Sequence, residues 1–303
     1  MRWSQRGAPT PSVATTGEAV VLRSFITPVA SDDTDTAAAF AQSWNRLPEG
    51  SVYAPAQFLE WMAPLDPESF RGKEVLELGF GNGSLLYHMA RFGPSRLCGV
   101  ELGDTVETAR RNVGEVPGTR IDLRRGNLTE VDLGEFDLVY CIGVLHHLQD
   151  PSAGFDSVLR QTRPGGRFHC WVYGEEGNAL VRNLVDPLRC VSSRLPWWFT
   201  NYALALPLVV PYFLYAKALR WLAPRALRPI LPLYDYSLWI AERGFAFFHH
   251  VAFDQLVAPT TAYIRRARVD AWLDDPRIEP GSSYVVFRNG NSWKFGGARR
   301  VSG

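Results

Sequence analysis

The chain reads as an α/β protein built on a doubly wound, mostly parallel sheet, and three observations predict it. Between residues 72 and 174, short apolar runs alternate with helix-like segments. The links between them are short, as parallel strands joined by crossover helices require. The run Phe136-Asp-Leu-Val-Tyr-Cys141 is almost wholly apolar, as suits a strand covered on both faces. Val75 to Leu78 leads into a glycine-rich bend, Gly79-Phe-Gly-Asn-Gly83, and then into a helix-like stretch. A strand, a glycine turn and a helix in that order hold a nucleotide-like cofactor at the carboxyl edge of such a sheet.

Taken in order, residues 1–30 are rich in Ser, Thr, Pro and Ala and read as a disordered leader. Residues 31–71 read as a helical cap, with helices over 37–44 and from Pro55 to Met62; a proline suits a first helical turn. The core, 72–174, holds expected strands near 74–78, 97–101, 121–124, 136–141 and 167–173. Helices are expected near 84–92, 104–113 and 152–162, with Arg163-Pro-Gly-Gly166 as a turn. Residues 175–250 break this rhythm and read as an aromatic, helical insertion. In 251–303 the pattern predicts a helix over 260–273, a strand at Ser283–Arg288, a tight turn at Asn289-Gly290 and a short returning strand at Ser292–Phe295.

Composition sets the outer bounds. The 303 residues are 46% hydrophobic and 21% charged, with a net charge of +1. That balance suits a globular core and argues against a dedicated nucleic-acid binder. Only Lys73, Lys217 and Lys294 are lysines among 32 basic residues. Cys98, Cys141, Cys170 and Cys190 form no C-x-x-C pair, so no metal site is expected; three of them fall in expected strands, where cysteine behaves as a small hydrophobe. No secretory signal pattern opens the sequence, and the expected setting is cytoplasmic.

The glycine bend separates two cofactor classes. A dinucleotide fingerprint is G-x-G-x-x-G, whereas here Gly79, Gly81 and Gly83 follow an acid, Glu77. Glu77 would face a cation better than a pyrophosphate. Cys98-Gly-Val-Glu101 then reads as a second strand ending in an acid, 18 residues after Gly83. Phe136 to Leu148 and Arg163 to Tyr173 follow in order. Over roughly 72–174 this succession resembles the class I S-adenosylmethionine-dependent methyltransferases. The resemblance implies a seven-stranded Rossmann-like methyltransferase fold with S-adenosylmethionine as cofactor. It implies Glu77 at the methionine amino end, Gly79, Gly81 and Gly83 close to the cofactor, and Glu101 on the ribose hydroxyls. Asn127 and Leu128 would lie at the adenine, and Cys141 and Ile142 beside the methionine moiety. Many relatives have Asp where this chain has Asn127; the amide oxygen still accepts a hydrogen bond. His146 and His147, after the fourth strand, are the candidate catalytic bases.

The insertion carries Trp197, Trp198, Trp221 and Trp239, and has no charged residue from Trp197 to Ala216. Its length would allow a membrane span, for which about 20 apolar residues suffice. Pro207 and Pro211 argue against one. Arg182, Arg189 and Arg194 precede it, and Lys217, Arg220, Arg225 and Arg228 follow. Such a stretch suits a lid over a greasy substrate pocket, a lid that also makes peripheral membrane contact through 194–228, or plain packing on the sheet. The expected partner is a small, lipophilic acceptor methylated at oxygen or nitrogen. A non-catalytic S-adenosylmethionine-binding or membrane-peripheral protein is the alternative, and an NAD-dependent oxidoreductase a third.

Overall fold

A computed structural model of the chain describes residues 31–48, 50–222, 226 and 228–301. The expected leader, and Arg225, lie outside the described residues. Seven strands form one sheet: β1 (Glu74–Leu78), β2 (Arg96–Glu101), β3 (Arg120–Arg125), β4 (Phe136–Ile142), β5 (Thr162–Tyr173), β6 (Tyr284–Arg288) and β7 (Ser292–Ala298). Their order is β3-β2-β1-β4-β5-β7-β6, and only β7 runs against its neighbours. The strand order reverses beside β1, between β1 and β4. In open α/β sheets that is where ligands bind.

Side-chain alternation divides the core in two. Leu76, Leu78, Val139, Cys141, Phe168 and Cys170 face one side, under α5 (Pro151–Gln161) and α10 (Arg266–Leu273). Val75, Leu97, Leu138, Tyr140, Ile142 and Trp171 face the other. There they meet α2 (Pro55–Met62), α3 (Ser84–Ala90) and α4 (Val106–Val113). Cys98, Cys141 and Cys170 are buried as small hydrophobes. Glu77 and Gly79 belong to the face of Val75, so a carboxylate enters a largely apolar layer, which also holds the buried His169.

The tail departs from the sequence expectation in two ways. Ala258 to Arg265 is not helical. Ile264 is buried and its N–H donates to Tyr173 O at 2.9 Å, so this segment extends the sheet edge, and α10 begins only at Arg266. The returning strand is longer than expected. β7 runs to Ala298 and pairs with β5 from Arg167 to Tyr173, between β5 and β6. Gly296 and Gly297 look like loop residues in sequence. Here they let β7 pass Phe168 and Tyr284: a Cβ on Gly296 would stand 2.4 Å from Phe168 O. Asn289 and Gly290 make the turn at φ 50° and 68°.

Helices α6 (Ala179–Ser192), α7 (Leu206–Leu222), α8 (Tyr234–Ala241) and α9 (Phe245–Val257) follow β5 and roof the carboxyl edge. A π-helical turn, Phe199–Ala205, feeds α7. Helix 199–222 runs unbroken through Pro207 and Pro211 and is, by length and composition, long and apolar enough to cross a membrane. Its Val209 and Ala216 are nonetheless packed against α8 and α9, and its Leu219 is buried as well. Arg189, expected on a basic border, is buried instead; Nε donates to Gln255 O at 2.7 Å, tying α6 to α9. The cap helix α1 (Ser31–Trp44) packs on α9, where Ser43 Oγ donates to Asp254 Oδ1 at 3.1 Å.

Candidate active site

A cavity of about 420 Å³ runs from the glycine bend to the underside of the lid. One half is lined by Glu77, Gly79, Gly81, Glu101, Asn127, Leu128 and Ile142. The bend needs its glycines. Gly79 has φ 81°, and a Cβ there would lie 2.3 Å from Val144 Cγ2. At Gly81, φ 55°, a Cβ would strike the Trp44 ring at 2.7 Å. Trp44 therefore rests directly on the loop backbone, stacked on Phe40 with centroids 5.3 Å apart. Gly83, φ 80°, caps α3 against Ala109 and is not itself in the cavity wall.

Two acids face this half. Glu101, buried at the end of β2, accepts from Gly81 N at 2.9 Å and Gly103 N at 2.8 Å, so the acid and the loop hold each other. Burial raises its pKa, while the amides of Gly103, Gly81 and Leu102 oppose the rise. Glu77 is 1% exposed, and its carboxylate accepts from Tyr140 Oη at 2.8 Å. Burial pushes its pKa up to about 8; the Tyr140 bond pulls down, and the charge of Glu101 adds to the rise. At neutral pH Glu77 therefore carries a proton in the free protein.

The remaining expected residues separate. Asn127 lines the cavity, but its Oδ1 already accepts from Thr129 N at 3.0 Å and Thr129 Oγ1 at 2.9 Å, in a turn after β3. An adenine amine would have to share or displace one of these. Cys141 points into the opposite core layer and does not line the cavity, while its neighbour Ile142 does, because successive strand residues face opposite sides. Burial raises the Cys141 thiol. His146 is 1% exposed and outside the cavity wall; Nδ1 accepts from Tyr173 N at 3.4 Å, and burial drops its pKa well below the usual imidazole range. His147 lines the cavity. Its Nδ1 lies 2.9 Å from Thr260 O, and burial lowers its pKa to about 4 against the help of that carbonyl. The bond assigns the proton to Nδ1 and leaves Nε2 with the lone pair.

The second half of the cavity was not legible as a site. Tyr53, Trp61, Trp171, Tyr173, Tyr212, Tyr236, Trp239 and Arg288 line it together with leucines of α6. Asp254 hangs from α9 between the halves; burial raises its carboxyl, opposed by His250, Ser43 and Trp44. These residues come from the cap, β5, α6, α7, α8, α9 and β6, and no local pattern links them.

Residues 76–170 match the family described as "Methyltransferase domain". They are a class I S-adenosylmethionine-dependent methyltransferase domain. S-adenosylmethionine is its cofactor, and the cradle fits: the bend admits no Cβ at Gly79 or Gly81, and a buried acid waits at each side of it. Sequence relatives match over part of the chain. A ubiquinone biosynthesis O-methyltransferase of Hahella chejuensis is 34% identical over 97 residues, 31% of this chain and 40% of that protein. An uncharacterised protein of Synechococcus is 31% identical over 119 residues, 38% of this chain and 28% of its own length. The chain thus spans less than half the length of these curated relatives. Among solved structures, magnesium protoporphyrin IX methyltransferase from Synechocystis aligns over 81% of both chains at 14% identity and a TM-score of 0.45.

Proposed function

We propose that the chain transfers a methyl group from S-adenosylmethionine to an oxygen or nitrogen of a small, lipophilic acceptor enclosed by α6–α9. One observation carries this reading: the glycine cradle and the aromatic chamber are two halves of one cavity. Bound S-adenosylmethionine supplies an electrophilic methyl group on a sulfonium. The chain has then to align and to dry. Glu77 and Glu101 would hold the donor's two polar ends, and Ile142, Gly143 and Val144, which line the same half of the cavity, would border its middle. Tyr53, Trp171 and Tyr173 hold the acceptor against it and keep water out; alignment of that kind lowers a displacement barrier more than any charged group beside the sulfur would. His147 Nε2 receives the departing proton on its way to solvent, a weak base in a reaction that needs positioning first.

The outer face of the lid supports a second element of the proposal, contact with a membrane surface. Trp198, Tyr202, Leu214, Trp221 and Leu222 are exposed there, with Trp221 at 85%. Arg194 and Arg220 are exposed and have no ion-pair partner among the described residues, whereas Arg228 is engaged by Asp235. Because α7 packs on the body along one side, an interfacial position suits it better than a spanning one.

Isothermal titration tests the donor. Saturable binding of S-adenosylmethionine and not of NAD is expected, weakened at least about tenfold by Glu101→Ala, since loss of a charge-assisted bond costs on that scale. No saturable heat with S-adenosylmethionine, or affinity untouched by Glu101→Ala, would defeat the reading. Radiolabelled methyl transfer into a lipid extract then separates an enzyme from an inert binder.

A further inference from the structure

The lid end of the cavity is not uniformly greasy. Arg288, at the end of β6, lines it and is 8% exposed. Its guanidinium lies 5.8 Å from the Trp61 ring centroid, 6.0 Å from Trp171 and 5.2 Å from Trp239. Nη2 donates to Glu60 Oε1 at 2.8 Å, while Nε is buried without a hydrogen-bond partner. The indole nitrogens of Trp61 and Trp171 are buried and unpartnered as well, and both residues line the cavity. Tyr236, within electrostatic reach of Arg288, adds a phenol to the same wall that makes no hydrogen bond among the described residues. Native folds leave few buried donors unsatisfied. Among the described residues three such donors, on Trp61, Trp171 and Arg288, belong to this one corner, beside the Tyr236 phenol, and none of these four side chains is itself an anionic acceptor.

Charge points the same way. Arg288, Arg243 and Lys294 surround one buried-side carboxylate, Glu60: Arg243 Nη2 reaches Oε2 at 2.9 Å and Lys294 Nζ donates to the Glu60 carbonyl at 2.6 Å. Glu242, the nearest further acid on Arg243's side, is exposed to solvent. The corner keeps a cationic excess. It also adjoins the donor half, because a Cβ on Gly143 would touch the Trp171 ring at 3.4 Å.

We infer that Arg288, with Trp61, Trp171 and Tyr236, forms a carboxylate subsite, so that the methyl acceptor is an apolar molecule bearing an acidic group that anchors it while a second oxygen or nitrogen is methylated. This rests on the proposed function and narrows its substrate class. A guanidinium with free N–H groups favours a carboxylate over a neutral isostere, and a desolvated setting strengthens the preference. The neutralised carboxylate is a poor nucleophile and serves as a handle.

The experiment uses the full chain saturated with S-adenosylhomocysteine, titrated with 4-butylbenzoate and with its neutral isostere 4-butylbenzamide. Benzoate is expected to bind at least about tenfold more tightly. Arg288→Met removes that difference and leaves benzamide binding and S-adenosylhomocysteine binding unchanged; Arg288→Lys keeps part of it. Tyr236→Phe weakens benzoate alone, by about threefold. Equal affinity for the two probes, no heat from either at about 1 mM, or a preference that survives Arg288→Met would overturn the subsite. Should Arg288→Met fail to fold, the wild-type comparison and Tyr236→Phe decide. Failure to bind S-adenosylhomocysteine would instead remove the donor reading, so the two failures are told apart.

Discussion

Donor binding should take a proton off the protein. Glu77 is buried beside Tyr140 with its pKa near 8, so the free protein holds it as a carboxylic acid at pH 6 to 7. In the proposed role it meets the donor's ammonium group, and an adjacent cation favours the carboxylate. The free form then binds one proton more than the complex. Affinity must therefore rise with pH, by about tenfold per unit between pH 6 and 7, or about 1.4 kcal/mol. Over that window the ammonium, with an ordinary pKa of about 8, stays charged and contributes little slope. Isothermal titration in two buffers of different ionisation enthalpy should show release of about one proton at pH 6.5. Glu77→Gln should flatten the profile. Constant affinity from pH 6 to 7 with no proton release, or the same slope in Glu77→Gln, would refute the reasoning.

Three further outcomes follow from the same geometry. The free protein should lose stability as pH rises from the ordinary carboxylate range near 4.5 toward about 8, because the folded state holds the Glu77 proton and the unfolded chain gives it up; urea melts should show a fall of a few kcal/mol that Glu77→Gln abolishes. Gly79→Ala combines a left-handed backbone with a methyl 2.3 Å from Val144 Cγ2, and should cost about 2–4 kcal/mol by denaturant unfolding. Adding Val144→Ala should relieve the clash and leave about 1 kcal/mol of backbone strain; strict additivity of the two changes would show that the methyl does not meet Val144. In liposome flotation, the wild type should rise with anionic vesicles and less with neutral ones. Arg194→Glu with Arg220→Glu should lose that difference, and Trp198→Ser with Trp221→Ser should lose binding altogether; flotation unaffected by either pair would remove the membrane contact.

The cradle was legible because it is local. Glu77, three glycines and Glu101 stand within 25 residues, and each is specified by the conformation or charge its own position requires. The inner strands of the core were legible for the same reason, since two-sided burial writes an apolar run into β1 and β4, whereas edge strand β3, Arg120–Arg125, is mostly charged and only Leu123 in it is buried. The lid was visible only as composition. Which of its arginines would face water depended on partners 66 residues away, as Arg189 and Gln255 show. Arg288 lies 228 residues from Glu60, and no spacing rule joins them. Of the neighbours Cys141 and Ile142, and of His146 and His147, only the second of each pair lines the cavity: the sequence picked out the stretch, but the side of the chain that meets the cavity is set by local backbone geometry and neighbouring strands and not by the run itself. The protonation of Glu77 is likewise a product of depth.

Trp44 lies on the glycine bend, and the residue before it is bonded to α9 through Asp254. The residue that covers the glycine bend and the helix that covers the aromatic half of the cavity are thus joined by a direct hydrogen bond. Under the proposed function, lifting the indole to admit a nucleoside would pull on that helix. Release of the spent donor and of the product should then be coupled, and Ser43→Ala should separate their rates in single-turnover kinetics.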